Sequence, residues 1–272
     1  MYFSLQPARF SFRAVDPVYF PPGKAGNVLR GGFGLCLRAT AAPEAYSRIF
    51  EPAALGGPSG LVDAPRPFVF RAAHLDGMRV SPGAEFGFDL HLFGGELEPY
   101  RAALVRLGEE GFGPGRGRAR LVRVESREVR VCLEAERASR LRVRFLTPTE
   151  LKADEGLAAW PEFGVLFGRA RDRVATLARL YGSGAIECDF RGMGERARDV
   201  AMTACRVAPV EVERRSARTG QTHAIGGFVG EAEYEGTLGE FVPWLRAAAW
   251  TGVGRQTVWG KGAIAVDVLD AV

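Results

Sequence analysis

The chain has 272 residues, of which 47% are hydrophobic and 25% charged, ordinary proportions for a globular protein with a substantial core. No apolar run approaches the roughly 20 residues of a membrane-spanning helix, and the N-terminus lacks the basic and apolar segments of a signal peptide. The four cysteines are scattered singly, which argues against a zinc motif or a disulfide framework. We therefore expect a cytoplasmic protein that binds no metal, needs no cofactor and has no membrane partner.

The positive charge of the chain is almost entirely arginine. The net charge is +4 and the isoelectric point about 9.0, which favours an acidic partner. Ten arginines but only four glutamates lie between Gly111 and Thr147. Guanidinium groups pair bidentately with phosphate and stack on bases, which suits RNA. The alternative is that a GC-rich genome favours arginine codons.

The first half of the chain alternates strand and helix patterns. Phe86, Phe88 and Leu90 recur at the two-residue period of a strand. Glycine and proline punctuate the segments between elements. The prediction is strand, helix, strand, strand, helix, glycine loop, strand. In chain order these elements cover 2–15, 25–38, 67–72, 85–93, 98–108, 111–117 and 118–125.

The second half of the chain repeats the same order of elements. Its first helix is amphipathic and is followed by Gly182, a typical helix stop. Its second and third strands form a predicted hairpin. In chain order the elements cover 141–145, 162–181, 200–215, 226–234, 238–250, the glycine loop 251–262, and 263–269.

Two copies of the βαββαβ unit therefore account for the chain. The predicted fold class is α+β, with two tandem ferredoxin-like domains of the kind also found in RNA-recognition motifs. The first domain covers 1–125 and the second 140–272. Residues 126–139 form the joint, for which an extra strand pair is one option.

The glycine loop at 251–262 has the composition of a phosphate-binding loop. Its glycines permit positive φ and leave N–H groups uncovered, so the backbone can wrap a phosphate. Trp259 stacks on a base or fills space between the halves. The alternative is a tight structural turn. The spacing does not match a Walker loop, and the helix-before-loop order excludes a dinucleotide fingerprint. The residues expected to contact RNA here are Gly252, Gly254, Arg255, Gly260, Lys261 and Gly262.

The start of the first helix is a second place where phosphate could bind. Lys24 and Arg30 flank it, and helix N-termini favour anions. The first-half loop 111–117, with Arg118 and Arg120, either lines the same groove or is a connector with solvated arginines.

Of the three histidines, His223 has the most polar sequence context. It follows Arg214, Arg215 and Arg218 in a predicted turn between two strands. An imidazole near guanidinium groups suits acid–base cleavage of RNA. The alternative is a role in RNA contact or local hydrogen bonding. His91 lies in a strand and is expected to be structural or solvent-facing, and His74 lies in a strand-end loop.

Four stretches resemble one known family. They are 24–34 (KAGNVLRGGFG), 63–70 (DAPRPFVF), 214–223 (RRSARTGQTH) and 252–262 (GVGRQTVWGKG). Together with the duplicated fold they resemble the RAMP proteins of CRISPR systems, and among these the precursor-crRNA processing endoribonucleases of the Cas six family. The resemblance implies metal-independent cleavage of CRISPR repeat RNA, in which the 2′-hydroxyl attacks the phosphate and leaves a 2′,3′-cyclic phosphate.

The chain departs from that family at one position. Many members carry a catalytic histidine in or just after the first helix, whereas this chain has none before His74, and Tyr46 is the nearest titratable candidate. One hypothesis is an endoribonuclease with His223 as acid or base, Arg218 on the phosphate, and Arg214 and Arg215 contacting RNA.

Two rival hypotheses follow from the missing histidine. The first is a non-catalytic RAMP subunit that binds repeat or guide RNA within an effector complex. The second, from a different class, is a structural subunit that contacts only proteins. The expected partners are CRISPR repeat RNA or crRNA, together with other effector subunits.

Overall fold

The computed structural model describes residues 1–53, 64–153, 156–182, 184–210, 213–215, 222–224 and 226–270. For 213–215 and 222–224 it describes the backbone alone. No helix within these ranges is long and apolar enough to cross a membrane.

The first half is an antiparallel sheet with the strand order β3-β5-β1-β6. This is the order of a ferredoxin-like fold, in which the first and third strands lie side by side at the centre. Two longer helices, α1 and α3, follow the first and third strands of the βαββαβ unit. The elements are β1 (Tyr2–Ala14), β2 (Val18–Tyr19), α1 (Ala25–Thr40), α2 (Pro43–Phe50), β3 (Phe68–Arg71), β4 (Arg79–Val80), β5 (Glu85–Leu92), α3 (Glu98–Glu110) and β6 (Ala119–Ser126).

Aromatic side chains fill the core between this sheet and its helices. Phe10 of β1 is directly paired with Phe88 of β5, and their fully buried rings stack 6.1 Å apart. Phe33 of α1 packs edge-on against Phe68 and Phe70 of β3 and stacks on Tyr100 of α3 at 5.7 Å. Stacked aromatic pairs add to the stabilisation from burial, so the alternating phenylalanines specify both the strand and its buried face.

The second half has the corresponding order β11-β14-β8-β15, which confirms the duplicated α+β fold. Its long helices α4 and α6 pack on each other. The elements are β8 (Arg140–Thr149), β9 (Lys152–Ala153), β10 (Gly156–Leu157), α4 (Phe163–Tyr181), α5 (Phe190–Arg196), β11 (Ala201–Pro209), β12 (Glu213–Arg215), β13 (Thr222–Ala224), β14 (Phe228–Glu235), α6 (Val242–Thr251) and β15 (Ile264–Val268).

The joint between the halves contains one strand, β7 (Val129–Cys132), which pairs with the start of β1. Phe3 and Leu5 of β1 belong to the core of the second half, while Phe10 and Phe12 belong to the core of the first. A single strand therefore contributes to both cores.

Several element ends differ from the sequence pattern. Helix α3 continues past Gly108, because the missing side chain there lets the helix approach the Ala119 carbonyl of β6. Gly111, with φ at 96°, ends it instead. Within the predicted strand 200–215, Ala201–Pro209 forms β11, which pairs with β14, and Glu213–Arg215 forms β12, which pairs with β13.

Candidate functional site

The second glycine loop lies in the seam between the two halves. A Cβ atom on Gly26, in the first turn of α1, would overlap the carbonyl oxygen of Trp259. A Cβ on Gly260 would lie 2.9 Å from the carbonyl oxygen of Phe70 in β3. Thr147 of β8 donates its hydroxyl to the Gly260 carbonyl at 2.9 Å. The loop therefore joins α1 and β3 of one half to β8 of the other.

All four glycines of this loop have positive φ, between 65° and 78°. The sequence predicted that their N–H groups would be uncovered, but several of these groups donate hydrogen bonds to carbonyls of the protein. The N–H groups of Gly252, Gly260 and Gly262 donate to the carbonyls of Ala248, Thr257 and Pro148. Gly254 lies so close to the Glu150 carbonyl that no side chain would fit. The backbone of the loop thus closes mainly on itself and on β8.

The two cations of the loop are also in contact with protein groups. Arg255 donates to a carboxylate oxygen of the buried Glu150 at 2.6 Å, although its own side chain is largely exposed. Burial lowers the pKa of Lys261, and the carboxylate of Asp76 acts in the opposite direction. Lys261 and Asp76 line the same small cavity of about 30 Å³ at the start of α1.

The N-terminus of α1 is capped by that same carboxylate. Asp76 Oδ1 accepts a hydrogen bond from the Ala25 amide at 2.8 Å. Lys24, the residue before the helix, is exposed. The carboxylate of Asp76 thus occupies the N-terminus of α1, where the sequence suggested that a phosphate could bind.

Arg30, one of the residues expected to bind RNA, contacts two aromatic rings. Its guanidinium lies 4.6 Å from the ring centre of Phe50 and 5.1 Å from that of Trp259. Such cation–π contacts hold a guanidinium flat between two aromatic faces. Arg66 lies over the same Phe50 ring at 5.3 Å and donates to the Phe50 carbonyl at 2.6 Å.

Tyr46 completes this group. Its ring stacks on Phe50 at 5.7 Å, and its hydroxyl donates to Glu51 Oε1 at 3.2 Å. Burial, followed by the nearby Glu51 carboxylate, raises the pKa of Tyr46, so the phenol stays protonated at neutral pH. We call Arg30, Tyr46, Phe50, Arg66 and Trp259 the junction cluster. Sequence reasoning missed Phe50 and Arg66, since nothing in the local pattern links α2 to the residues before β3.

The end of α6, where the loop begins, is held by two half-buried arginines, one from each half. Arg71 Nη2 donates to the carbonyls of Ala249 and Trp250 at 2.9 and 3.0 Å, and Arg173 Nε donates to Thr251 at 3.0 Å. Cations at a helix C-terminus complement its dipole. Burial lowers the pKa of Arg71 to about 10 and that of Arg173 to about 9, so both remain charged at neutral pH.

His91 forms a hydrogen bond with one of the same carbonyls, that of Trp250. Its Nδ1 lies 2.9 Å from the Trp250 oxygen and therefore carries the proton, because a carbonyl can only accept. Burial, with a contribution from the Arg71 charge, lowers the pKa of His91 to about 4, so the ring is neutral. Its role is structural and it does not face solvent. His74 is exposed, with Nε2 bonded to the Gly87 carbonyl at 2.8 Å.

The sequence-predicted catalytic group lies on a separate two-stranded ribbon. Arg214 pairs with His223, and Arg215 with Thr222, across β12 and β13. The strand register places His223 and Arg214 opposite each other. Arg218 lies outside the described residues.

The arginine-rich segment is largely neutralised by acids from distant strands. Arg142 of β8 bonds Glu233 of β14 at 2.7 Å, and Arg144 bonds Asp267 of β15 at 2.9 Å. In the first half, Arg118 bonds Asp16 at 2.6 Å. At these positions the exposed sheet surfaces therefore carry paired charges of opposite sign.

Comparison with known families gives a match for each half. A family described as an N-terminal domain matches residues 3–143, and the CRISPR-associated endoribonuclease Cas6 family matches residues 143–264. The match to the Cas6 family thus covers most of the second half of the chain. No curated protein sequence matches the chain.

Solved structures with the same fold include several Cas6 proteins. Thermus thermophilus Cas6 (TTHB231) in a product complex has a TM-score of 0.66 and 17% identity, over 97% of this chain and all of that one. Cas6 (TTHA0078) in a substrate mimic complex has a TM-score of 0.56 and 19% identity, over 97% and 100% of the two chains. A partial Cas6-RT-Cas1–Cas2 complex matches at 0.58 and 10%, over 99% of this chain and 47% of that one.

Proposed function

We propose that this protein acts as a Cas6 endoribonuclease, which binds CRISPR repeat RNA along the seam and cleaves it by attack of a 2′-hydroxyl on the adjacent phosphate. The reaction leaves a 2′,3′-cyclic phosphate and a 5′-hydroxyl, and it requires an acid, a base and cations, but no metal ion. The observation that carries this proposal is the junction cluster, in which the Arg30 guanidinium contacts the rings of both Phe50 and Trp259. Two guanidiniums, three aromatic faces and a phenol are the groups that hold a phosphate and an unstacked base.

His223 remains our candidate for the acid or base, with Arg218 stabilising the phosphate. The ribbon of β12 and β13 would bring both to RNA that lies in the seam. Tyr46 is the rival, since a phenol that stays protonated can donate a proton to the leaving oxygen but is a poor base. Lys24, Lys261 and Arg255 would add phosphate contacts, the last by exchanging its Glu150 partner.

The experiment is cleavage of repeat RNA taken from a neighbouring CRISPR array, in the presence of a chelator. The expected product carries a cyclic phosphate. His223→Ala should lower the cleavage rate at least about 100-fold, the usual contribution of a general acid or base. Tyr46→Phe should leave the rate within a few-fold. The reverse pattern would transfer the role to Tyr46.

The second candidate function is RNA binding without cleavage. It is favoured by the absence of histidine from the junction cluster and by the bonding of the loop amides to protein carbonyls. Binding by the wild type, with no product at any pH between 5 and 9, would support this candidate. A solved RAMP protein that binds different RNA substrates, and the Cas6-RT-Cas1–Cas2 complex, support RNA and other CRISPR proteins as the partners to test.

A further inference from the structure

Helix α4 borders a long groove on the outer side of the second half, away from the junction cluster. The part beside the first turns of α4 is polar and has a volume of about 710 Å³. Lys152 of β9, Arg169 of α4 and Arg198 after α5 lie around it.

These three cations differ from the arginines of the sheet faces. None of them forms an ion pair with a described residue, whereas Arg142 and Arg144 on the nearby β8 are both paired. Arg169 Nε donates to the Lys152 carbonyl at 2.8 Å, which ties α4 to β9. Lys152 and Arg198 are exposed. Unpaired cations clustered along a groove attract a polyanion.

The groove continues into an apolar cleft of about 370 Å³ farther along α4. Ala175, Ile186 and Phe190 line it, and Arg179 lies at its rim. Arg171 separates the two parts, since it bonds Asp172 at 2.8 Å and the Phe190 carbonyl, and its guanidinium lies over the Phe190 ring at 5.4 Å. An exposed aromatic ring beside cations is the arrangement that accepts an unstacked base.

We propose that this α4 groove binds a single-stranded segment of RNA. Lys152, Arg169 and Arg198 contact successive phosphates, and one base enters the cleft beside Phe190. A duplex does not fit this description, because its bases are stacked and paired and cannot enter a cleft. The inference rests on the proposed function and extends it, since it assigns a second contact surface outside the seam.

The test measures the salt dependence of binding of a short fluorescein-labelled oligouridine and of the repeat RNA. Each phosphate contact on a single strand contributes about 0.7 to the slope of log K against log salt concentration. The triple variant Lys152→Gln, Arg169→Gln, Arg198→Gln should therefore lose about 2 from the slope for oligouridine. The matched control is Arg79→Gln, Arg127→Gln, Arg137→Gln, which removes three exposed arginines that also lack an ion pair with a described residue. Its slope should stay unchanged.

A second measurement locates the base. Photo-crosslinking of oligouridine containing 4-thiouridine should label the peptide around Phe190, and Phe190→Leu should remove that label without unfolding the chain. An unchanged salt slope in the groove variant, or crosslinks only in the seam, would overturn the α4 site. If repeat cleavage by that variant is normal in the same experiment, the proposed function stands. A wild-type chain that binds neither RNA would overturn both.

Discussion

The two glycine loops occupy equivalent places in the two halves and have different roles. Each follows the second helix of its ferredoxin-like unit and precedes the last strand. The first loop, 111–117, closes on itself through paired hydrogen bonds between Phe112 and Gly117, and it packs on Tyr19 of its own half. The second loop, 251–262, reaches α1 and β3 of the other half.

The difference shows how one of two equivalent loops in a duplicated fold comes to connect the two halves. The shared topology places both loops at the same end of a sheet, but the second loop is longer and carries Trp259, which touches the Arg30 guanidinium. That aromatic contact and the close approach at Gly26 connect the halves. We therefore assign the candidate function to the second loop and not to the first.

The largest expected effects come from alanine at one glycine in each loop. Gly113 has φ at 71° and no room beside the Tyr19 carbonyl, and Gly260 has φ at 78° and lies close to Phe70. The left-handed backbone costs about 1–2 kcal/mol and the overlap about 1–3 kcal/mol, so each variant should lose about 3 kcal/mol of unfolding free energy. Urea denaturation measures this loss.

The comparison predicts a difference in a second readout. Gly260→Ala should loosen the seam and raise the pKa of His91, measured by NMR, whereas Gly113→Ala should leave it near 4. The same His91 pKa in both variants would show that the loops do not differ in this way.

A pH effect of about 3 kcal/mol should arise from His91 itself. The pKa of His91 is about 4 in the folded chain and 6.5 without burial, a difference worth roughly 3 kcal/mol. As pH falls from about 6.5 to 4, the unfolded chain binds a proton that the folded chain does not, so the unfolding free energy decreases. His91→Asn keeps a donor for Trp250 and should flatten this part of the profile. A profile identical to that of the wild type would contradict the assignment.

A smaller effect distinguishes two glycines of one helix. Gly26→Ala would gain about 1 kcal/mol in helix propensity, but the new methyl group would overlap the Trp259 carbonyl, so this variant should lose about 2 kcal/mol overall. Gly31 is exposed with open space around it, so Gly31→Ala should gain about 1 kcal/mol. Thermal unfolding of the pair checks the opposite signs. Equal shifts of the melting temperature in the two variants would mean that the loop does not pack closely against α1 at Gly26.

The order of elements could be predicted because its signals are local. The alternation at Phe86, Phe88 and Leu90 predicted β5 to within one residue of its observed end. The positive φ of the terminal glycines also followed from their type. The acceptor of the Gly262 amide did not, because Pro148 lies more than a hundred residues away.

The same limit applies to charge and to the candidate site. Ten arginines in a short segment look like an open basic surface, but Glu233 and Asp267 come to them from other strands. Asp76 caps α1 from a distance of fifty-one residues along the chain. Arg66 and Phe50 join Arg30 only through folding, so the junction cluster could not be read from any single motif.

The first strand also bears on how this protein is made. Phe3 and Leu5 emerge early from the ribosome, yet their core partners include Leu166 and Trp244 of the second half. A nascent first half therefore exposes an apolar strand end until the last helix has been synthesised. Release of the polypeptide before that point should leave a species that needs chaperone protection, which couples the folding of each half to completion of the other.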